Sequence, residues 1–133
     1  MKTELFYLLL VLALTALLWL PYVLNRIVVW GLRDTVSYPA HPKPLAPWAQ
    51  RLRAAHANAV ENLVVFAPLV LLTQQLGVSS AMTALACMLY FWSRLLHVVA
   101  YTLALPWLRT LGFFGSFVGQ LLLLWHCVSQ LLA

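Results

Sequence analysis

Two sets of polar residues recur at helical spacing in an otherwise apolar chain. Arg51, Asn58, Glu61 and Asn62 share one face of a helix at about 100° per residue, and Tyr90, Arg94, His97 and Tyr101 share one face of another. Arg53 and His56 point well away from the first of these stripes. Eleven uncharged residues, Asn62 to Leu72, follow Glu61, which places this carboxylate inside a membrane span rather than at its end. An ionisable group at that depth costs a few kcal/mol or more, so it faces a partner or a wet cavity. Arg94 is equally deep and needs a counter-charge. If the two helices fold back about a turn centred between Gly77 and Val78, Glu61 comes level with Arg94 and Asn58 level with His97. Tyr101 then lies about one turn further on. A buried Glu61–Arg94 ion pair that fixes helix register is the plainer reading. More groups converge than a register pin requires, so a pocket for a polar or zwitterionic ligand is the functional one. Arg26, near the end of the first span, and Arg109 with Thr110, at the start of the last, reach the same membrane face. Arg109 also stands at a helix N-terminus, where backbone N–H groups add positive potential. A carboxylate held there would be stabilised, and a thiol would ionise more readily.

The elements that carry these residues are membrane helices. The chain has 133 residues, 64% hydrophobic and 8% charged, against about 25% charged in soluble domains. That length accommodates about four spans and no second domain. The expected helices cover residues 5–30, 48–76, 80–105 and 107–132. Pro21 should kink the first of them. Pro39, Pro42, Pro44 and Pro47 make residues 31–47 an extended, semi-rigid loop. Residues 77–80 form a tight turn in which Ser79 or Ser80 can cap the next helix. Short second and third connections give an all-α, up-down-up-down bundle of four transmembrane helices. Small residues four apart, Gly115 and Gly119 with Gly112 and Ser116, allow close helix approach within the bundle or between subunits.

Arg26, Arg33, Lys43, Arg51, Arg53 and Arg109 fall on the side of the first and third loops, and Lys2 alone on the other. This bias puts those loops in the cytoplasm and both termini outside. The first twenty residues read as a retained helix rather than a cleaved secretory signal: the apolar run is long, Glu4 interrupts its start, and no small-x-small step precedes Pro21. The Leu- and Ala-rich spans suit a bacterial inner membrane better than an endoplasmic reticulum.

Several chemistries are disfavoured. The net charge of +5 rests on 8 basic and 3 acidic residues, read as topology markers rather than a nucleic-acid surface. The four histidines are scattered without metal-ligand spacing, so no metal site is expected. Cys87 and Cys127 lie in apolar runs and read as packing residues. No second acid completes a Ser/His/Asp triad. A small proton-coupled exporter is a further possibility, because an intramembrane Glu commonly drives one. Against it stands Arg94, which would hold Glu61 ionised.

The segment Ala55-His-Ala-Asn-Ala-Val-Glu61 resembles the helix-two signature of the MAPEG superfamily, the membrane-associated proteins of eicosanoid and glutathione metabolism. Arg94-x-x-His97-x-x-x-Tyr101, followed by Leu108-Arg109-Thr110-Leu-Gly112, resembles its helix-three and helix-four signature. The likeness covers roughly residues 15–125 and is closest to the bacterial branch, with Pro21-Tyr-Val-Leu in the first helix and Pro47-Trp-Ala-Gln entering the second. The resemblance implies a homotrimer with a glutathione site between neighbouring subunits. It assigns Asn58, Glu61, His97, Tyr101 and Arg109 to glutathione, with Arg26 as a basic residue at the end of the first helix. Arg94 joins this binding set from the polar stripes. Conjugation or peroxide reduction on a lipophilic electrophile from the membrane lipid follows, with Arg109 stabilising the thiolate and Thr110 donating to it. The sequence departs from the glutathione-using pattern at Ala54 and Ala57, where arginines often flank the Ala-His step. The superfamily also holds a non-catalytic lipid-binding and scaffold member, which is the alternative to an enzyme.

Overall fold

A computed structural model describes residues 2–133. It contains α1 (Thr3–Leu17), α2 (Trp19–Thr35), α3 (Pro47–Gln75), α4 (Ala81–Thr102) and α5 (Pro106–Leu132). Among the described residues, four helical stretches are long and apolar enough to cross a membrane: Thr3–Thr35, which joins α1 and α2, then α3, α4 and α5.

The first span breaks at Leu18. Pro21 lacks the N–H that would bond the Leu17 carbonyl, and its ring crowds that carbonyl, so α1 ends four residues before the proline. The span then runs on to Thr35, past the expected end at Trp30, but Gly31 inside it has φ 79° and ψ 160°. Only glycine adopts that conformation readily, so the chain changes direction there.

α3 is 29 residues long. At about 1.5 Å per residue it is longer than a hydrocarbon core of roughly 30 Å. Pro47 starts it and Pro68 lies inside it. Its end is a Schellman motif: Gly77 takes φ 69°, the Val78 N–H reaches the Thr73 carbonyl, and the Gly77 N–H reaches that of Gln74. Ser80 then caps α4 in a reciprocal box with Thr83. α4 ends in a second Schellman motif, with Leu105 N–H to Ala100 and Ala104 N–H to Tyr101. Here the left-handed position is held by an alanine, Ala104, at φ 59°.

The interior has three layers along the bundle. Leu8, Val11, Phe66, Val70, Tyr90 and Leu123 belong to one apolar cluster, in which the Phe66 and Tyr90 rings stack at 3.6 Å. Leu18, Leu52, Ala55, Ala59 and Val98 form another. Between them lies a polar layer from α3, α4 and α5. Cys87 and Cys127 are buried free thiols. The small-residue face of α5 lies against α4 within the bundle. A Cβ at Gly112 would meet the His97 backbone nitrogen at 2.7 Å, and one at Gly119 the Ala86 carbonyl oxygen at 2.8 Å.

Glu4, which the sequence alone does not place in the interior, is buried, only 2% exposed. Its carboxylate accepts hydrogen bonds from the hydroxyls of Ser79 (2.5 Å) and Thr83 (2.6 Å). The start of α1 is thereby pinned to the α3–α4 turn. Ser79 serves this bond while Ser80 does the capping.

Candidate functional site

The polar layer is built around Arg94, which is 1% exposed. The register expected from the Gly77–Val78 turn places Asn58 beside His97, but the partner of Arg94 is not Glu61. One Arg94 nitrogen, Nη2, donates to Asn58 Oδ1 at 2.6 Å and to His97 Nδ1 at 2.9 Å. The other, Nη1, donates to Ser116 Oγ at 3.3 Å. Glu61 is exposed on α3, so the predicted Glu61–Arg94 ion pair is not formed. The reason is rotational. Glu61, three residues after Asn58, is offset from it by about 60° around the helix, and it is Asn58 that α3 turns towards α4. Arg94 is thus a buried cation held by neutral acceptors.

This arrangement fixes the chemistry of its neighbours. A guanidinium has donors only, so His97 Nδ1 must accept, which leaves the proton of the neutral imidazole on Nε2. Asn58 likewise spends its oxygen on Arg94, and its amide NH2 remains as donor. Asn62 supports it, bonding the Asn58 carbonyl at 2.9 Å, and Gln120 Nε2 reaches the Asn62 carbonyl at 3.2 Å. Ser116 and Gln120 are buried polar residues of α5 that the stripe argument did not include. They are one turn apart on one face, the same signal that exposed Arg94 on α4.

A groove of about 340 Å³ opens on this layer, lined by Asn58, His97, Tyr101, Arg109, Thr110 and Phe113. Five of these were expected from the sequence at one site. Arg109 stacks its guanidinium on the Tyr101 ring, with Cζ 4.9 Å from the centroid. The His97 and Tyr101 rings meet edge to face at 5.6 Å. Thr110 donates its hydroxyl proton to the Pro106 carbonyl at 3.0 Å. It must therefore exchange that bond before it can donate to a ligand. A smaller cleft of about 220 Å³ adjoins at Tyr101 and Arg109, with Arg51 on its far wall. Arg51 Nε donates to the Thr102 carbonyl at 2.9 Å.

Three expected site residues lie outside the groove. Arg94 stands behind Asn58 and His97 and positions them rather than lining the space. Glu61 is turned outwards. Arg26 sits over the Trp30 ring at 5.1 Å. His56, turned off the stripe as its spacing requires, bonds the Tyr22 hydroxyl at 2.8 Å and ties α2 to α3.

The fold and the polar layer define a polytopic, all-helical membrane protein with a donor-lined groove near one end of the bundle. A family model described as MAPEG family matches residues 8–129. The chain belongs to the MAPEG family. No curated protein and no solved structure matches it significantly.

Proposed function

We propose that the protein is a glutathione-dependent transferase or peroxidase acting on lipophilic electrophiles that reach it through the bilayer. The observation that carries this reading is the groove itself. Asn58, His97, Tyr101 and Arg109 line it, residues whose side chains carry an amide, an imidazole N–H, a hydroxyl and a guanidinium, and the cation of Arg94 stands behind Asn58 and His97. Such a wall suits an anion: a peptide carboxylate towards Asn58 and His97, a thiolate towards Arg109. Phe113 offers an apolar side to the electrophile. In the step envisaged, the thiolate sulfur forms a bond to the electrophilic carbon and the leaving group departs with its electron pair. Arg109 lowers the energy of the sulfur anion before attack.

A homotrimer would complete the site. Glu61 is exposed at a depth where a lone carboxylate is costly, and Arg26 is on a different wall of the same protomer. Both can serve a ligand held between copies. The expected orientation places the groove at the cytoplasmic face, where glutathione is available.

Calorimetric titration of glutathione into the detergent-purified protein tests the proposal. Saturable binding that Arg109→Ala weakens at least tenfold is the expected result. Absence of binding at cellular glutathione concentrations sinks it. Ala54 and Ala57, in place of clamping arginines, favour a second reading, a lipid-binding or scaffold member without catalysis. The unpaired geometry of Glu61 and Arg94 removes the argument that Arg94 holds Glu61 ionised. Proton-driven uptake into vesicles, lost in Glu61→Gln, would support an exporter instead.

A further inference from the structure

A second built cleft lies on the membrane face that carries the long loop. It has a volume of about 460 Å³ and is lined by Trp30, Lys43, Pro44, Leu45, Gln50 and Arg53 among others. Its walls are fixed by hydrogen bonds. The Trp30 indole N–H bonds the Lys43 carbonyl at 2.7 Å, and the Gln50 amide the Leu45 carbonyl at 2.7 Å. The Ala46 N–H is held by Asn25 Oδ1 at 3.0 Å. The proline-rich loop is thus clamped between the end of the first span and the start of α3.

Lys43 and Arg53 bring two exposed cations to this cleft. The direction of Arg53 follows from the α3 helix: two residues beyond Arg51, it is rotated by about 200°, away from the Arg109 groove. Of the chain's 3 acids, Asp34 is on this face; it lines an adjoining smaller cleft that shares Trp30, Pro42 and Lys43 with this one, while Arg53 lines the larger cleft alone. The depth is that of headgroups. Arg53 precedes the uncharged run that begins at Asn62 by nine residues, about 14 Å of helix. Trp30, an amphipathic ring at a span end, sits where such rings mark the interface.

We propose that this cleft binds the headgroup of an anionic membrane phospholipid. Lys43 and Arg53 take the phosphate, and Trp30, Pro44 and Leu45 take the glycerol and first acyl carbons. A soluble phosphate would use the cations but not the apolar wall.

The test is native mass spectrometry of delipidated, detergent-solubilised protein titrated with phosphatidylglycerol, phosphatidylcholine or glycerol phosphate. Phosphatidylglycerol should bind at least tenfold tighter than either of the other two. At about 1 kcal/mol per basic residue near a membrane surface, the Lys43→Gln/Arg53→Gln double variant should lose roughly thirtyfold. Arg33→Gln, an exposed cation outside the cleft, should bind as the wild type does. All three substituted positions are exposed, and thermal melting checks that each variant is folded. Equal binding of phosphatidylcholine overturns the proposal, as does an equal loss in Arg33→Gln. Glycerol phosphate binding as tightly as the lipid overturns the lipid assignment.

Discussion

At the scale of single residues, Arg94 organises the site without touching the groove. Its two Nη2 donors select the acceptor atoms of Asn58 and His97 and so decide which of their atoms are left as donors. Arg94→Met keeps much of the volume but frees both partners. Glutathione affinity should then fall at least tenfold, and nitrogen NMR of the His97 ring should shift from a single Nε2–H tautomer to a mixture. A variant that binds normally with an unchanged ring spectrum would reduce Arg94 to packing. Glu61 gives the opposite expectation. Because none of the Arg94 bonds involve it, Glu61→Ala should leave protomer helicity unchanged by circular dichroism while weakening glutathione binding. A collapse of helical structure would show that Glu61 has a partner inside the protomer after all. At Thr110, loss of the back-bond to Pro106 should matter little to folding, since a single exposed hydroxyl bond is worth about 1 kcal/mol or less. Thr110→Val should therefore separate chemistry from stability, with turnover reduced and melting near that of the parent.

At the scale of helices, the distance between α4 and α5 is set by glycine. A methyl group at Gly112 collides with backbone atoms of His97 and Ser93 that cannot rotate aside. Gly112→Ala should destabilise the protein by about 1–3 kcal/mol, measured by thermal or denaturant unfolding in detergent. It should also lower glutathione affinity, because the collision is with the residue that carries the site imidazole. Ala104 presents the reverse case. It holds a left-handed conformation at φ 59° beside the Arg51 cleft, one that costs a non-glycine residue about 1 kcal/mol. Ala104→Gly should raise stability by up to about 1 kcal/mol, and an unchanged or lower melting temperature would mean that the neighbouring contacts fully accommodate the methyl.

Much of the molecule was legible in the sequence, for reasons that differ by element. The spans follow from long apolar runs, and the level matching of Asn58 with His97 follows from helical rise and a short turn. Rotation about a helix axis is less well determined. Two polar neighbours such as Asn58 and Glu61 both lie near the stripe, and opposite charge made Glu61 the natural partner for Arg94. The structure selects Asn58 because the orientation of α3 is set by Ala55, Ala59, Phe66 and Val70 packing inwards, a matter of shape that no charge pattern encodes. Glu4 was seen only as an interruption of an apolar run. Its donors lie 75 and 79 residues away, and nothing local marks Ser79 and Thr83 as its partners. The break at Pro21 was visible because backbone restrictions are local, whereas the sequence puts Gly31 at the start of the loop and the helical stretch runs through it to Thr35. The consequence of Ala104 was not visible, since alanine carries no signal for positive φ.

Taken whole, the bundle is closed at one end by a bond between its earliest and middle segments. Glu4 leaves the ribosome 75 residues ahead of Ser79, an interval of roughly 4–15 s at about 5–20 residues per second. Throughout that interval the first span carries an acid with none of the hydroxyls that later hold it. Its settled position must therefore wait for the α3–α4 hairpin to be delivered, so the order of synthesis is not the order of assembly. Slowing elongation just before Ser79 would lengthen the exposure of this half-finished span to membrane quality control, which makes Glu4 a determinant of yield as much as of stability.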